Sequence, residues 1–395
     1  MNSKKVLISG AGIGGLTLAY FLQKNGFTPV VIEKAPSLRH NGYMIDFFSS
    51  GIFVSEKMGI MEELKSRDHD ILTLRQHDKN SNKELSLNLS TFKEAMNGHL
   101  FNFLRTDLVD ILYQKVKPLV EIRFSTSVKS IEQHPNEVVV KFEDEKTEKF
   151  DLLFGADGIH SNIRNILYKP SEVETVYLGY YVAALEHRVK EASEESEVFS
   201  MLAPKRQIMT YEVKKGVYNS LLAFQSPLLE DLSSQDEVAI LKEKFADFDG
   251  IVPQVLEEAE KAEHLYFDQV SQIQIASSWH KGRVVLFGDA AYCLTLLSGQ
   301  GASMAMTGAY LLAEYLKKYE NDHLKAFSAY EKELRSTIEK MQKKAVKNTA
   351  TYIPDNSFML AIRNLFAPLL FTKLFANILA RQIGAKNFFD KHYGN

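Results

Sequence analysis

The sequence has one cysteine and one tryptophan in 395 residues. A lone thiol, Cys293, excludes an internal disulfide and any dithiol redox pair, and it fits a reducing cytoplasm. Long apolar runs are also missing, so no transmembrane segment is expected. Residues 4–22 begin with two lysines and continue apolar, like a secretory leader, but glycines interrupt the run and no small-residue cleavage site follows. An excess of either charge is lacking. Forty-seven Lys and Arg face 50 Asp and Glu with no long basic block, which argues against a nucleic-acid partner. No repeat, low-complexity tract or metal site is expected. What remains is ordinary for a folded chain, 45% apolar and 25% charged, and long enough that two domains are expected.

The strongest positive signal lies at the start. Val6-Leu7-Ile8-Ser9 runs into Gly10-Ala11-Gly12-Ile13-Gly14-Gly15, then a helical stretch to Gln23, Gly26, and Val30-Val31-Ile32-Glu33. Strand, glycine turn, helix, strand and terminal carboxylate are what an adenine dinucleotide requires. Gly10 permits the turn, Gly12 lets a pyrophosphate reach the backbone, and Gly15 lets the helix approach the sheet. Glu33, about twenty residues on, suits the ribose hydroxyls.

Further along, Ile52–Leu64 reads as a helix interrupted at Gly59, and 71–90 as a hairpin turning at 78–82. A helix begins at Thr106 or Asp107 and stops before Pro118. Strands are expected at 121–125, 128–133, 137–143 and 149–154. From 173 to 275 the pattern alternates, with strands at 180–187, 207–213 and 217–224 and a helix at Glu237–Phe245. This predicts an antiparallel sheet, not another βαβ unit. Val284–Phe287 returns to a buried parallel strand. The helix Ser303–Lys318 follows, then a charged helix to about Lys347, whose pairs Glu331/Arg335 and Glu339/Lys343 read as a solvated face.

Two more segments turn the dinucleotide into a flavin. Leu152–Gly158 is an apolar strand ending in Asp157 and Gly158, with Ser161 and Arg164 beyond. Val284–Asp289 repeats that logic. A carboxylate at a strand end suits a ribityl chain, although Asp157 and Asp289 could equally be helix caps. Gly299-Gln300-Gly301 opens a helix whose positive end suits a reduced flavin.

Together these segments resemble the class A flavin monooxygenases, the para-hydroxybenzoate hydroxylase-like group, from Val6 to about Tyr319. Gly10-x-Gly12-x-x-Gly15 with Glu33, Asp157-Gly158-x-x-Ser161-x-x-Arg164, Trp279-x-x-Gly282-Arg283-Val284, Gly288-Asp289-Ala290-Ala291 and Gly299-Gln300-Gly301 carry the likeness. Ala156–Ser161, Leu178–Val182, Gly288–Cys293 and Leu297–Gly301 resemble most the tetracycline-inactivating monooxygenases, and Tyr292, where the wider group has histidine, points to that branch.

The resemblance implies an α/β fold: a Rossmann-like FAD-binding domain (1–72, 99–172, 276–347), an inserted antiparallel substrate sheet (73–98, 173–275) and C-terminal helices (348–395) that could form a lid. It implies FAD, with NADPH or NADH as transient reductant, a flavin hydroperoxide as the reagent and no catalytic side chain. The expected protein is a cytoplasmic monomer that oxygenates a polycyclic or aromatic small molecule, with tetracycline-type antibiotics leading. An aromatic or polyketide hydroxylase of secondary metabolism, or a flavoprotein that binds a hydrophobic ligand with little turnover, are the alternatives.

Expected cofactor residues are Gly10, Gly12, Gly14, Gly15, Glu33, Lys34, Arg39, Arg105, Asp157, Asp289, Gly299, Gln300 and Gly301. For the substrate, family geometry with strand alternation offers Phe47, Gln207, Met209, Phe224 and Thr295. Leu294-Thr295-Leu296 stands where the family usually carries prolines beside the flavin. A loop without them keeps its N–H groups and its freedom, which predicts poorly coupled oxygenation that Thr295→Pro should repair. In the apolar tail, Pro368 is expected to separate two helices.

Overall fold

The computed structural model describes residues 3–38, 42–96, 98–188, 197–229, 236–262, 265–296, 299–320, 322–370, 372 and 388–389. Arg39, Leu297, Ser298 and tail residues 373–387 lie outside them. Among the described residues the strands form four sheets. Lys5–Ser9 lies inside a six-stranded sheet, between Thr28–Ile32 and Leu152–Gly155 and parallel to both. Val284–Leu286 continues beyond Leu152–Gly155, and Glu121–Arg123 flanks Thr28–Ile32. These inner strands are near-continuous apolar runs because helices or other chain cover both faces. Helix Ile13–Lys24 packs on helix Gly301–Lys318, where Phe21 meets Tyr310 edge-on with ring centroids 4.9 Å apart.

The second large sheet has seven strands in the order Tyr266–Ile275, Val173–Arg188, Val217–Gln225, Arg206–Lys214, Glu197–Ala203, Thr73–Asp78 and Lys83–Asn88. It is antiparallel except where Glu197–Ala203 runs parallel to Thr73–Asp78. Those two strands come from distant segments, so no hairpin fixes their direction. Helices Glu237–Phe245 and Val252–Lys261 cover one face, closing a core of Tyr181, Leu222, Phe224, Phe245 and Val255. The opposite face carries Tyr180, Val182, Ala223 and Val270, then Val198 and Tyr211 farther along. Gly179, at φ 84°, sits in a register break between Tyr177 and Tyr181, and beyond it ordinary alternation puts Tyr180 and Tyr181 on opposite faces. Met44–Phe48 is a strand paired with Leu100–Leu104, so Asp46–Phe48 is ladder and not loop.

Two expectations about the C-terminal third are corrected. Glu331 and Arg335 are not a solvated face. The Glu331 carboxylate accepts from Ser278 Oγ at 2.6 Å and Trp279 N at 3.0 Å, while Arg335 donates to the Ile275 and Ser277 carbonyls at 3.0 and 2.6 Å. The pair staples helix His323–Tyr352 to the turn before Val284–Leu286. Pro368 does not end its helix either; Ser357–Leu370 continues through it for two residues. A proline this near a C-terminus removes only a last-turn bond. The apolar tail also packs: Phe389 is buried and stacks on Phe53 at 4.2 Å.

Candidate cofactor cleft

The glycines of the first turn do different jobs. Gly10 has φ 111°, and a Cβ there would lie 2.4 Å from the Ala156 carbonyl oxygen. A Cβ on Gly15 would fall 1.9 Å from the Gly10 oxygen, and one on Gly14 3.1 Å from the Phe287 ring. Those three let chain pack on chain. Gly12 differs: nothing lies within 4 Å of its missing Cβ, and no side chain caps helix Ile13–Lys24 above it. Open space before uncapped amides is a cradle for an anion. Glu33 braces it, accepting from Ala11 N at 3.1 Å and Ala35 N at 3.0 Å. Lys34 beside it is exposed.

Arg105 is the first residue of helix Arg105–Val116, its own N–H bonded to the Tyr43 carbonyl at 3.0 Å. Its charge reaches Asp289, whose carboxyl is pushed up by desolvation and drawn back by Arg105. Asp289 is nevertheless exposed. Reached by solvent yet crowded by protein atoms is the condition of a group at the bottom of a cleft. Asp46 shares it: desolvation raises its carboxyl although it is exposed, and Asn102 Nδ2 donates to it at 2.7 Å. Beyond Asp289, helix Gly301–Lys318 starts with no side-chain cap, and Gly299 and Gly301 have nothing near their missing Cβ positions. Gln300 is half-buried between them.

Ser161 caps helix Asn162–Leu167, accepting from Arg164 N at 3.0 Å, and Asp157 braces that cap. Its oxygens accept from Ser161 Oγ at 2.5 Å and Ile163 N at 3.0 Å, so it shapes the loop before helix Asn162–Leu167. Arg164 is buried and holds that loop to the next motif through the Ile159 and Ala290 carbonyls at 2.5 and 3.0 Å. Tyr292 is core: it lies on Trp279 with centroids 4.7 Å apart, and a Cβ on Gly308 would come 2.1 Å from its hydroxyl.

Two expected substrate residues are misplaced. Phe224 lies on the helix-covered face, edge-on to Phe245, because Ala223 and not Phe224 faces the glycine-turn half. Phe47 is wholly buried against Phe103, below Gly51. Gln207 and Met209 do share the other face. Gln207 Nε2 donates to Ser200 Oγ at 2.9 Å, and Met209 packs in the cluster with Tyr211 and Met44. Thr295 is buried with φ 105°.

The sequence reading missed Tyr43, Tyr266 and Asp268. Tyr43 and Tyr266 rings meet at 5.5 Å above Arg105 and Asp289, and burial pushes the Tyr43 hydroxyl up to about 12. Neither tyrosine belongs to a motif; only the meeting of two sheets makes the pair. Asp268 bonds His160 at 3.3 Å, tying the Asp157 loop to strand Tyr266–Ile275. That bond raises the His160 pKa, against burial and the charges of Arg164 and Lys34. A raised histidine stabilises the fold fully below its unfolded value and loses the contribution as pH climbs through the folded one. His160→Ala should therefore lower the melting temperature by about 1–2 °C below about pH 6, and by nothing measurable well above the raised value. Melting curves across pH check it.

An uncapped helix over an open glycine turn and a buttressed acidic residue after the second strand are the parts of a dinucleotide-binding fold. The family described as FAD binding domain matches residues 3–345, and the chain belongs to it. A flavin-dependent monooxygenase of Legionella longbeachae is 32% identical over 357 residues, covering 86% of this chain and 87% of its own. Two solved structures, the tetracycline destructases Tet(55) and Tet(51), superpose with TM-scores of 0.81 and 0.80 at 28% and 29% identity. Each match covers 95% of this chain, and 97% and 98% of the neighbours. The protein is an FAD-dependent monooxygenase of the class A fold.

Proposed function

We propose that this monooxygenase takes electrons from NADPH or NADH and inserts one oxygen atom into a polycyclic substrate of the tetracycline type, acting as a cytoplasmic monomer. The observation carrying this reading is the likeness to two tetracycline destructases along nearly the whole chain. When bound, FAD supplies oxygen activation: two electrons from the nicotinamide and one O2 leave one oxygen atom in the product and the other in water. In this reading Gly12 and the first amides of helix Ile13–Lys24 take the pyrophosphate, and Glu33 the ribose. Asp289 would hold the ribityl hydroxyls, and the Gly301–Lys318 helix start would favour negative charge on the ring. The sheet face bearing Tyr180, Ala223, Gln207 and Met209 orients the substrate. The test is a ligand panel scored by NADPH consumption and product mass. Tetracycline-stimulated consumption with a product heavier by one oxygen supports the reading; consumption without such a product on any tetracycline overturns it.

Helix Ser357–Leu370 closes that face in the same proposal. Asn364 accepts from Gln76 Nε2 at 2.6 Å and donates to Asp78 at 3.1 Å, while Ser357 bonds Asn80 at 3.0 Å. Truncating the tail would also strip Phe389 from its packing, so a point variant is the cleaner probe. Asn364→Ala should leave FAD content unchanged, raise KM for tetracycline about tenfold and increase peroxide release, because a loosened cover admits water. Unchanged steady-state kinetics would remove the lid.

A further inference from the structure

The segment Cys293–Leu296 lacks the prolines that would stiffen it, yet another restraint is present. Gln272, wholly buried in strand Tyr266–Ile275, donates through Nε2 to the Leu294 carbonyl at 3.1 Å and the Gln342 carbonyl at 3.0 Å. Gln342, buried on helix His323–Tyr352, donates through its own Nε2 to the Ile273 carbonyl at 2.9 Å and the Cys293 carbonyl at 3.0 Å. Each amide nitrogen faces two carbonyl oxygens, so its orientation is fixed by chemistry. Gln272 Oε1 is sealed from solvent with no partner; the amide is held for what it donates. Ile273 N and Cys293 Sγ add weaker contacts, to the Cys293 carbonyl at 3.4 Å and the Ser271 carbonyl at 3.6 Å. Removing either glutamine would strand buried carbonyls, which costs more than the bond itself contributes in water. Directly downstream, Thr295 keeps a φ of 105°, a conformation a β-branched residue holds only when its surroundings dictate it.

We infer that Gln272 and Gln342 are positioning residues, a buried amide clasp that does for this loop what proline does in other family members. The clasp fixes the Cys293 and Leu294 carbonyls and, through them, Thr295. It rests on reading the adjacent cleft as the FAD site. It also joins three separate pieces: the loop, the long helix, and the strand that carries Tyr266 and Asp268. The loop and the substrate face thereby share one rigid link.

The decisive variant is Gln342→Met, which keeps volume and deletes two of the four bonds. Three quantities are read: FAD per protein after gel filtration, hydrogen exchange of the peptide spanning 293–296, and oxygenated product per NADPH with tetracycline as probe. FAD should stay stoichiometric. Exchange at 293–296 should quicken about tenfold while the 6–15 peptide is unchanged. Product per NADPH should fall about fivefold, with peroxide making up the difference. Adding Leu294→Pro to that variant should restore most of the coupling. Cys293, at φ −47° and ψ 123°, already has the extended backbone that precedes proline. Native exchange at 293–296, or faster exchange spread evenly over the chain, overturns the clasp. So does faster local exchange with unchanged coupling. Should Gln342→Met fail to fold, Gln272→Met carries the same exchange test with the same overturning results. Wild-type protein that never retains FAD overturns the cofactor reading instead, and the exchange result still decides the clasp.

Discussion

Gly12→Leu should yield a soluble, folded protein without yellow colour, whereas Gly15→Ala should not fold. Both substitutions strike the same six-residue turn, and their effects part because the space around them differs. At Gly12 the first side-chain carbon has nothing within 4 Å of it, so the substitution begins in open space and not against backbone. The side chain fills the room that a pyrophosphate needs to reach the helix amides. Losing several bonds to a charged group should cut FAD affinity by about two orders of magnitude or more. At Gly15 even one methyl lands 1.9 Å from a backbone oxygen. Backbone cannot step aside as a flexible side chain can, and a clash of this depth in the core costs several kcal/mol out of a stability of only about 5–15 kcal/mol. Absorbance near the flavin band and the melting temperature, measured on the two variants side by side, separate the cases. A yellow Gly12→Leu protein would take the pyrophosphate away from this turn.

Thr295→Pro should cut oxygenated product per NADPH about a hundredfold and leave FAD bound. The family resemblance argues for the opposite, because it implies proline at this loop and proline stiffens a backbone. The backbone decides otherwise. Thr295 has φ 105°, and the pyrrolidine ring permits only about −65°. The ring would rebuild the loop and not lock it, and a displacement of about an ångström beside reacting atoms can cost a hundredfold in rate. Thr295→Gly accepts the positive φ without strain and should melt slightly higher than the wild type. Coupling measured as product formed per NADPH, with peroxide quantified alongside, tests both. Improved coupling in Thr295→Pro would mean that the loop's working conformation differs from the one described.

The nucleotide half was legible because its signals are local. Gly10, Gly12, Gly15 and Glu33 lie within one βαβ unit, so the turn, the helix start and the terminal carboxylate read together at short spacing, and Gly15 and Glu33 make their contacts inside it. The inserted sheet hid its facing. One face packs on helices and the other on the glycine-turn half, so both are apolar, and alternation separates Ala223 from Phe224 without saying which points where. Glu331 and Arg335 misled for a related reason: an i,i+4 ion pair looks the same in solvent as when it clamps a turn sixty residues earlier. Asp157 was readable either as cap or as ligand; the structure makes Ser161 the cap and gives Asp157 bonds to Ser161 and Ile163. Gln272 and Gln342 carried no sign at all. Glutamine is ordinarily a surface residue, and seventy positions separate the two.

The strand order has a consequence for how the chain is made. Lys5–Ser9 and Thr28–Ile32 leave the ribosome close together and can pair at once. The other flank of Lys5–Ser9 waits for Leu152–Gly155, which in turn waits for Val284–Leu286. Until Leu152–Gly155 is made, a strand of Val6, Leu7 and Ile8 presents an open edge to whatever else is unfolded nearby. At typical rates of about 5–20 residues per second that interval lasts several seconds or more. Yield in a cell should therefore depend on what shields the nascent chain during that interval, and a slow stretch of translation between residues 32 and 152 would lengthen the exposure.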